Sequence, residues 1–445
     1  MSQCFTDRKD RLSGEIILSK KYIAVGMAYV GVVVGAGLSS GQDLLQYFLS
    51  YGKIGIIGVL VLSLLHIIFG KILITTGCYF KSSNHQDVLE KITHPVINRL
   101  IDFSLIVSSF IIGFVMFAGA GSNLSQQFHL PFWYGTLGCA LLTVLVAFLD
   151  FKKITKVLGI FTPIIIVMII VLCAYTFIGK SYDFDKMDAV AQTIKSPMPN
   201  IYLAVINYYS LCAISAVSMA FVLGGSLVRI SVAEKSGLLG GAIIGFIITC
   251  AAVTLFANID TVKDADIPML EIVKNISPVF SFIYSITIFA LIFNTAFSLF
   301  YAFAKRFAGK NKKKLRIILT VSVTIGFGLS FCGFKTLVAV MYPILGYIGM
   351  LLLGVLLITW IKEKKNILKE KMIRKKMIHL AVKKYDDDLE YTRKDKALFN
   401  KLGEKSVVDT EEIKSEIKNY VKETGTENFN IPEMQEKKEE ADTQK

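Results

Sequence analysis

Gly31-Val-Val-Val-Gly35-Ala-Gly37-Leu-Ser39-Ser40-Gly41-Gln42-Asp43-Leu-Leu-Gln46 decides how the chain is read. Four glycines, two serines, amides and a carboxylate fall near the middle of an apolar stretch, Tyr22 to Leu49, long enough to cross a bilayer. Backbone N–H and C=O groups cannot go unpaired against lipid, so a Gly-weakened helix persists only where protein or a polar cavity receives them. The expected structure is a discontinuous helix. Unwound carbonyls of its first half can coordinate a cation, and N–H groups opening its second half can meet an anionic group. Close helix packing would account for Gly31 and Gly35 at their spacing, but not for Ser39-Ser40-Gly41-Gln42-Asp43 in the same place.

The whole chain supports a membrane setting. Its 445 residues are 53% hydrophobic and 19% charged, with a mean hydropathy of +0.55. A soluble domain carries about 25% charged residues, so an ordinary soluble enzyme is excluded. The net charge is +14, of which +12 lies up to Ile361 and +2 beyond. That excess fits a positive-inside loop bias better than a nucleic-acid surface, and no nucleic-acid partner is expected. Seven cysteines are scattered singly, with no metal or disulfide spacing. No removable signal peptide is read before Tyr22.

Apolar runs give ten spans: Tyr22 to Leu49, Ile54 to Tyr79, Leu100 to Asn123, Phe132 to Leu149, Ile154 to Ile178, Ile201 to Val228, Gly237 to Ala257, Pro278 to Ala304, Leu315 to Cys332 and Leu337 to Ile361. With a cytoplasmic N-terminus, inner segments hold 20 Lys and Arg and outer loops 7. A multi-pass cell-membrane protein with both termini cytoplasmic is expected. The divisions are a cytoplasmic segment 1–21, a ten-helix domain 22–361, and a basic amphipathic helix 362–384 resting on anionic headgroups through Ile373, Met377 and Leu380. Residues 385–445, with 11 basic and 17 acidic side chains, read as a largely disordered tail with a transient helix from Glu411 to Lys422. Of the outer loops, Gly179 to Asn200 reads as a plain polar connection. In Asn258 to Ser277, the run Ile267 to Lys274 reads as a short helix, either on the surface or gating.

Asp43 is the principal intramembrane ionisable group, suited to pairing an amine, relaying a proton or capping the second half-helix. Lys71, Asp102 and Asp150 lie toward span ends, and His66 reads as a hydrogen-bonded interior histidine. The sixth span carries a second polar interruption, Asn207-Tyr208-Tyr209-Ser210. It lies five spans after the first, which points to an inverted-repeat transporter with a midplane site. The eighth carries Asn294-Thr295 and Ser298, hydroxyl and carbonyl oxygens suited to a small cation, although Ser and Thr in lipid more often bond back to the helix or hold it to a neighbour. No hydrolytic triad or phosphate-cradling loop is present, so no intramembrane enzyme is read.

Gly35-Ala-Gly-Leu-Ser-Ser-Gly-Gln-Asp-Leu-Leu-Gln-Tyr-Phe48 resembles the first-helix motif of bacterial YkvI-type membrane proteins, a branch of the amino acid/polyamine/organocation (APC) transporter superfamily, with Leu38, Ser39 and Asp43 as variations. Met116-Phe-Ala-Gly-Ala-Gly-Ser122 with Gln126, and Ile267-Pro-Met-Leu270, are similar too. The resemblance extends to Ile361. It implies an all-α, LeuT-like fold: ten helices as two inverted five-helix repeats, with helices 1 and 6 discontinuous. It also implies secondary transport of a small polar solute, an amino acid or related amine. Substrate would be bound by Gly35, Ala36, Gly37, Ser39, Ser40, Gly41, Gln42 and Asp43 with Asn207, Tyr208 and Ser210. Gly31 and Val34 carbonyls with Thr295 and Ser298 would form a candidate cation site. Asn294-Thr295 replaces the hydroxyl pair typical of sodium-coupled relatives, and Leu38 replaces the asparagine of a second ion site. Lys156 is the nearest counterpart of the lysine that replaces sodium in others. No bound cofactor is implied, with Na⁺ or H⁺ as the coupling ion. The rival reading is a sensor or assembly protein that retains a transporter fold.

Overall fold

A computed structural model describes residues 20–82, 85–147, 161–309, 311–386, 389–426 and 429; Asp150, Lys156 and the stretches 1–19 and 430–445 fall outside the described residues. The chain opens on a helix of residues 20–33 (α1), then Ala36–Ser40 (α2) and Gln42–Tyr47 (α3). Next come α4 (Lys53–Phe80), α5 (His85–Ile92), α6 (Pro95–Phe128), α7 (Phe132–Val146), α8 (Phe161–Phe177) and α9 (Phe184–Ala191). The second half holds α10 (Ile201–Gly225), α11 (Ile230–Ala257), α12 (Ile259–Val262), α13 (Pro268–Lys274), α14 (Pro278–Ala308), α15 (Lys312–Ser330) and α16 (Phe334–Tyr385). Two further helices, α17 (Arg393–Glu404) and α18 (Thr410–Thr424), follow.

Helices α4, α6, α10, α11, α14 and α16 are each long and apolar enough to cross a membrane. The other four spans fall on the interrupted α1–α3, on α7 and α8 flanking the undescribed 148–160, and on α15 after its Lys-rich first turn. Local chemistry sets the ends. Pro opens α6, α13 and α14, where a missing N–H costs nothing. Asn200 Oδ1 accepts the Leu203 N–H at 2.9 Å and Asn311 Oδ1 that of Lys314 at 3.0 Å, capping α10 and α15.

The second span packs on the seventh (α4 on α11), and the third on the eighth (α6 on α14). Partners five spans apart are what a two-fold inverted repeat in the membrane plane produces. The α4–α11 crossing is backbone on backbone. A Cβ on Gly237 would sit 2.3 Å from Gly70 O, and one on Gly241 2.2 Å from His66 O. Ser63 Oγ closes the same seam on Gly245 O at 3.0 Å. Dispersion and interhelical hydrogen bonds hold such contacts where lipid removes the hydrophobic drive.

Several expectations are corrected. The sixth span, α10, is unbroken from Ile201 to Gly225. It has no glycine before Gly224, and its hydroxyls bond back to the helix, Ser210 to Ile206 O and Ser215 to Cys212 O. The loop Gly179 to Asn200 contains α9, capped by Asp183. The run Ile267 to Lys274 is α13, with Pro268, Met269, Leu270, Ile272 and Val273 buried, so it is a plug rather than a surface helix. The basic helix does not start anew after Ile361: α16 continues to Tyr385, and Met377 and Leu380 are buried against α18 rather than free for headgroups. Residues 389–426 are folded. Thr392 and Asp395 form a capping box on α17, whose amide and hydroxyl hold the Asp395 carboxyl below its usual range. Ile413, Ile417 and Val421 of α18 close an apolar cluster with α16.

Gly241→Val is expected to abolish monodisperse expression, because the added atoms land on the α4 backbone. Gly138→Ala, with nothing within 4 Å of the new Cβ, is expected to raise stability by up to about 1 kcal/mol. Thermal melts in detergent check both.

Candidate functional site

The face carrying residue 20 and the α16–α18 unit is termed the terminal face, and the one carrying α9, α12 and α13 the far face. The site lies where the first span breaks. Val34 N still reaches Val30 O at 2.7 Å, but Gly35 N turns to Val33 O at 2.9 Å. The Gly31 carbonyl is thereby released from its helical donor. Gly41 breaks the chain again, at φ +77°, and a Cβ there would come within 2.8 Å of Met269 Cγ and 2.9 Å of Leu255. Between the breaks Ser39 Oγ bonds Gly35 O at 2.9 Å and Ser40 Oγ bonds Gly37 O at 2.7 Å. Ser40 Oγ also accepts the Gln42 N–H at 3.2 Å, so the serines serve largely to hold the break.

Asp43 is buried at 3% exposure and makes no ion pair among the described residues. Its Oδ1 accepts the Leu44 N–H of the first turn of α3 at 3.0 Å, and Oδ2 accepts the Tyr208 hydroxyl. A Cβ on Gly37 would lie 3.2 Å from Asp43 Oδ2 and 3.9 Å from Tyr342 Oη. Spans one, six and ten thus meet at one carboxyl. Tyr47 Oη donates to Asn207 Oδ1 at 3.3 Å, and Asn207 Nδ2 to Pro343 O at 2.9 Å. Tyr284 of the eighth span donates to Ser39 O at 3.0 Å. Gln42 is fully buried, and neither of its amide atoms has a partner among the described residues. A buried amide of this kind retains a donor and an acceptor for water or ligand.

The predicted cation residues are brought together in part. A Cβ on Gly35 would lie 3.6 Å from Thr295 Oγ1, whose hydroxyl bonds back to Leu291 O at 2.9 Å. Ser298 is half-buried nearly one turn on, Val34 is buried, and Asn294 Oδ1 is buried without a partner among the described residues. Gly31 instead faces Thr162 of the fifth span, at 3.7 to 3.9 Å from an added Cβ. Ser210, predicted for substrate, bonds its own helix. Thr162, Tyr284 and Tyr342 were missed. A Tyr342-Pro343 step inside an apolar span was the available signal for the last, since Pro frees a carbonyl of its helix. His66 lacks the expected hydrogen bond: both ring nitrogens are unpartnered among the described residues, with Tyr209 edge-on at 5.0 Å.

Burial around the break is one-sided. Residues 38–50 are all buried, whereas Gly31, Gly35, Gly37, Asn294, Thr295 and Ser298 are partly exposed. At the far face, Gln126 exchanges hydrogen bonds with Ile267 N and O at 2.9 and 3.1 Å, and Ser122 Oγ reaches Asp266 at 2.8 Å. Lys335 Nζ reaches Lys263 O at 3.2 Å. The segment 258–277 therefore plugs that side, and the partly exposed positions of the break lie on its terminal-face side.

No family model matches the chain. It is similar to the uncharacterized membrane protein YkvI of Bacillus subtilis (strain 168), at 24% identity over 336 residues, 75% of this chain and 94% of that one. The uncharacterized protein YyaD of the same organism matches at 24% over 336 residues, 75% of this chain and 96% of that protein. Among solved structures, MhsT in complex with L-phenylalanine superposes with a TM-score of 0.50 at 16% identity, over 92% of this chain and 98% of that one. The inward-facing conformation of Mhp1 gives 0.49 at 12% identity, over 87% and 91%. The protein is an all-α membrane protein with the LeuT-like fold of two inverted five-helix repeats. At such identities the likeness carries the fold alone.

Tyr208→Phe removes the hydroxyl donor from a buried carboxyl and is expected to cost about 1–3 kcal/mol of stability. Combined with Asp43→Asn, the loss should differ from the sum of the single losses by about 0.5–3 kcal/mol in a double-mutant cycle. Additive losses would show that the contact is not made.

Proposed function

We propose that the protein is a secondary active transporter of the APC superfamily, moving a small polar organic solute, an amino acid or related amine, by alternating access. The observation that carries this reading is the double break around Gly35–Gly41, set against a buried Asp43 carboxyl that makes no ion pair among the described residues. Backbone groups of Gly35 to Gly41 and the free amide of Gln42 would hold the solute's carboxylate or other acceptor groups. Asp43, with Tyr208 and Tyr342 beside it, would take its ammonium or a coupling proton. Asn207 would act indirectly, by positioning Tyr47 and Pro343.

The coupling ion is proposed as Na⁺ or H⁺. The released Gly31 carbonyl and the Gly35–Thr295 contact favour a cation at the terminal side of the break. Thr162 joins that set as a further hydroxyl, in place of the missing member of the pair at Asn294-Thr295. The terminal face is proposed to be cytoplasmic, from the 20 against 7 basic residues in alternate loops.

Thermal stability of the purified protein across amino acids, amines and organic acids, with and without Na⁺ and at several pH values, tests the reading. A bound solute at 100 times its Kd stabilises by about 2.7 kcal/mol. An amine-bearing solute is expected to raise the melting temperature, and Asp43→Asn to weaken it at least tenfold. If no solute shifts the melt under any condition, the sensor or assembly reading takes its place. If Asp43→Asn changes neither affinity nor pH dependence, Asp43 is only a helix cap.

A further inference from the structure

The last span does not end at the membrane. α16 continues to Tyr385, about 36 Å past Ile361 at 1.5 Å per residue. On this extension two ionic side chains are buried outside the lipid: Arg374 at 1% exposure and Glu370 at 3%. A pair so placed is tolerated only when both members are satisfied. Arg374 Nε meets Glu370 Oε1 at 2.8 Å. Its Nη1 and Nη2 donate to Cys78 O and Tyr79 O, both at 2.8 Å. Those carbonyls belong to the last turn of α4, the negative end of its dipole. Nη1 also reaches Val228 O, just past α10, at 3.4 Å. Glu370 in turn accepts from Ser406 Oγ at 2.6 Å and Val407 N at 3.2 Å, in the loop joining α17 to α18.

One ion pair therefore links the tenth span, the end of the second, the exit of the sixth and the tail loop. Independent contacts surround it. Lys81 Nζ donates to Gly225 O at 2.6 Å and pairs with Glu416 of α18 at 2.6 Å. Lys371 pairs with Glu234 of the seventh span at 2.5 Å. Lys21, at the start of the first span, lies 4.9 Å from the Tyr420 ring centroid. Val228 is buried in the same apolar cluster as Met377, Ile413 and Ile417.

From these contacts we infer that residues 362–386 and 389–426 are a built-in latch. It binds the terminal-face ends of spans one, two, six and seven to the tenth span as one body, and thereby stabilises the conformation in which segment 258–277 plugs the far face. The Glu370–Ser406 contact is its release point: an acidic group at Ser406 places like charge against Glu370 and separates the tail loop from the ion pair. The inference deepens the alternating-access reading, but its test reads conformation and requires no substrate.

Hydrogen–deuterium exchange on the full-length protein is compared with Ser406→Asp and with a chain ended after residue 391, which keeps α16 and removes α17 and α18. Ser406→Asp is expected to speed amide exchange in α18 at least tenfold. Both variants should slow exchange around residues 28–37 and speed it across 258–277, the opposite faces of the passage. Ser406→Ala, which removes the hydroxyl without adding charge and leaves the Glu370–Arg374 pair in place, should stay closer to wild type than Ser406→Asp in all three regions. An unchanged α18 in Ser406→Asp overturns the release point. A freed or absent α18 with no change at 28–37 and 258–277 overturns the latch, as does loss of protection throughout both variants, which would make the unit an integral part of the fold. The expected shifts without any solute binding would leave the latch standing and remove the transporter reading.

Discussion

Everything in the molecule is arranged around backbone groups that a lipid-spanning helix cannot release at will. Once Gly35 N turns back to Val33 O, the Gly31 carbonyl needs another partner, and a second break follows at Gly41. Protein supplies partners on the buried side of the break: Tyr284 donates to the Ser39 carbonyl, Ser39 and Ser40 bond within the break, and the α13 plug packs on Gly41. The inverted repeat is what allows helices from both halves to converge there. The glycine seam between α4 and α11 sets the close spacing of spans two and seven.

Much of this was legible in the sequence because lipid makes the pattern strict. Ten apolar spans and the fracture of the first were written in composition and glycine spacing. Gln126 and Ile267, from two separately similar stretches, turn out to bond each other in the far-face seal. The sixth span misled because Asn207, Tyr208 and Ser210 look the same whether a helix unwinds or merely turns polar side chains to its neighbours. Here Asn207 is satisfied by Pro343, and Ser210 by its own turn. Thr162 was invisible since a single hydroxyl in an apolar span has no spacing to reveal it, and Tyr342 was marked only by the proline that follows it. The tail was misread through its charge. Ile413, Ile417 and Val421 bury too little surface to fold alone, and only the continuation of α16 supplies their other half.

The two ionic centres differ in kind. Arg374 and Glu370 are saturated by carbonyls, a hydroxyl and an amide, which suits a joint. Among the described residues Asp43 has one hydroxyl and one amide donor and no cation, beside a glutamine amide with no partner. Unsatisfied polar capacity marks the site, and satisfied capacity marks the scaffold and the joint.

The central claim is that the interrupted first helix binds and carries a solute. Uptake of labelled amino acids and amines into proteoliposomes, under imposed Na⁺ or proton gradients, tests it most directly. The account predicts saturable, gradient-driven accumulation of at least one of them, lost when Gly41→Val fills the second break in protein that still folds. Accumulation of no solute under either gradient, or undiminished accumulation by folded Gly41→Val, would contradict it.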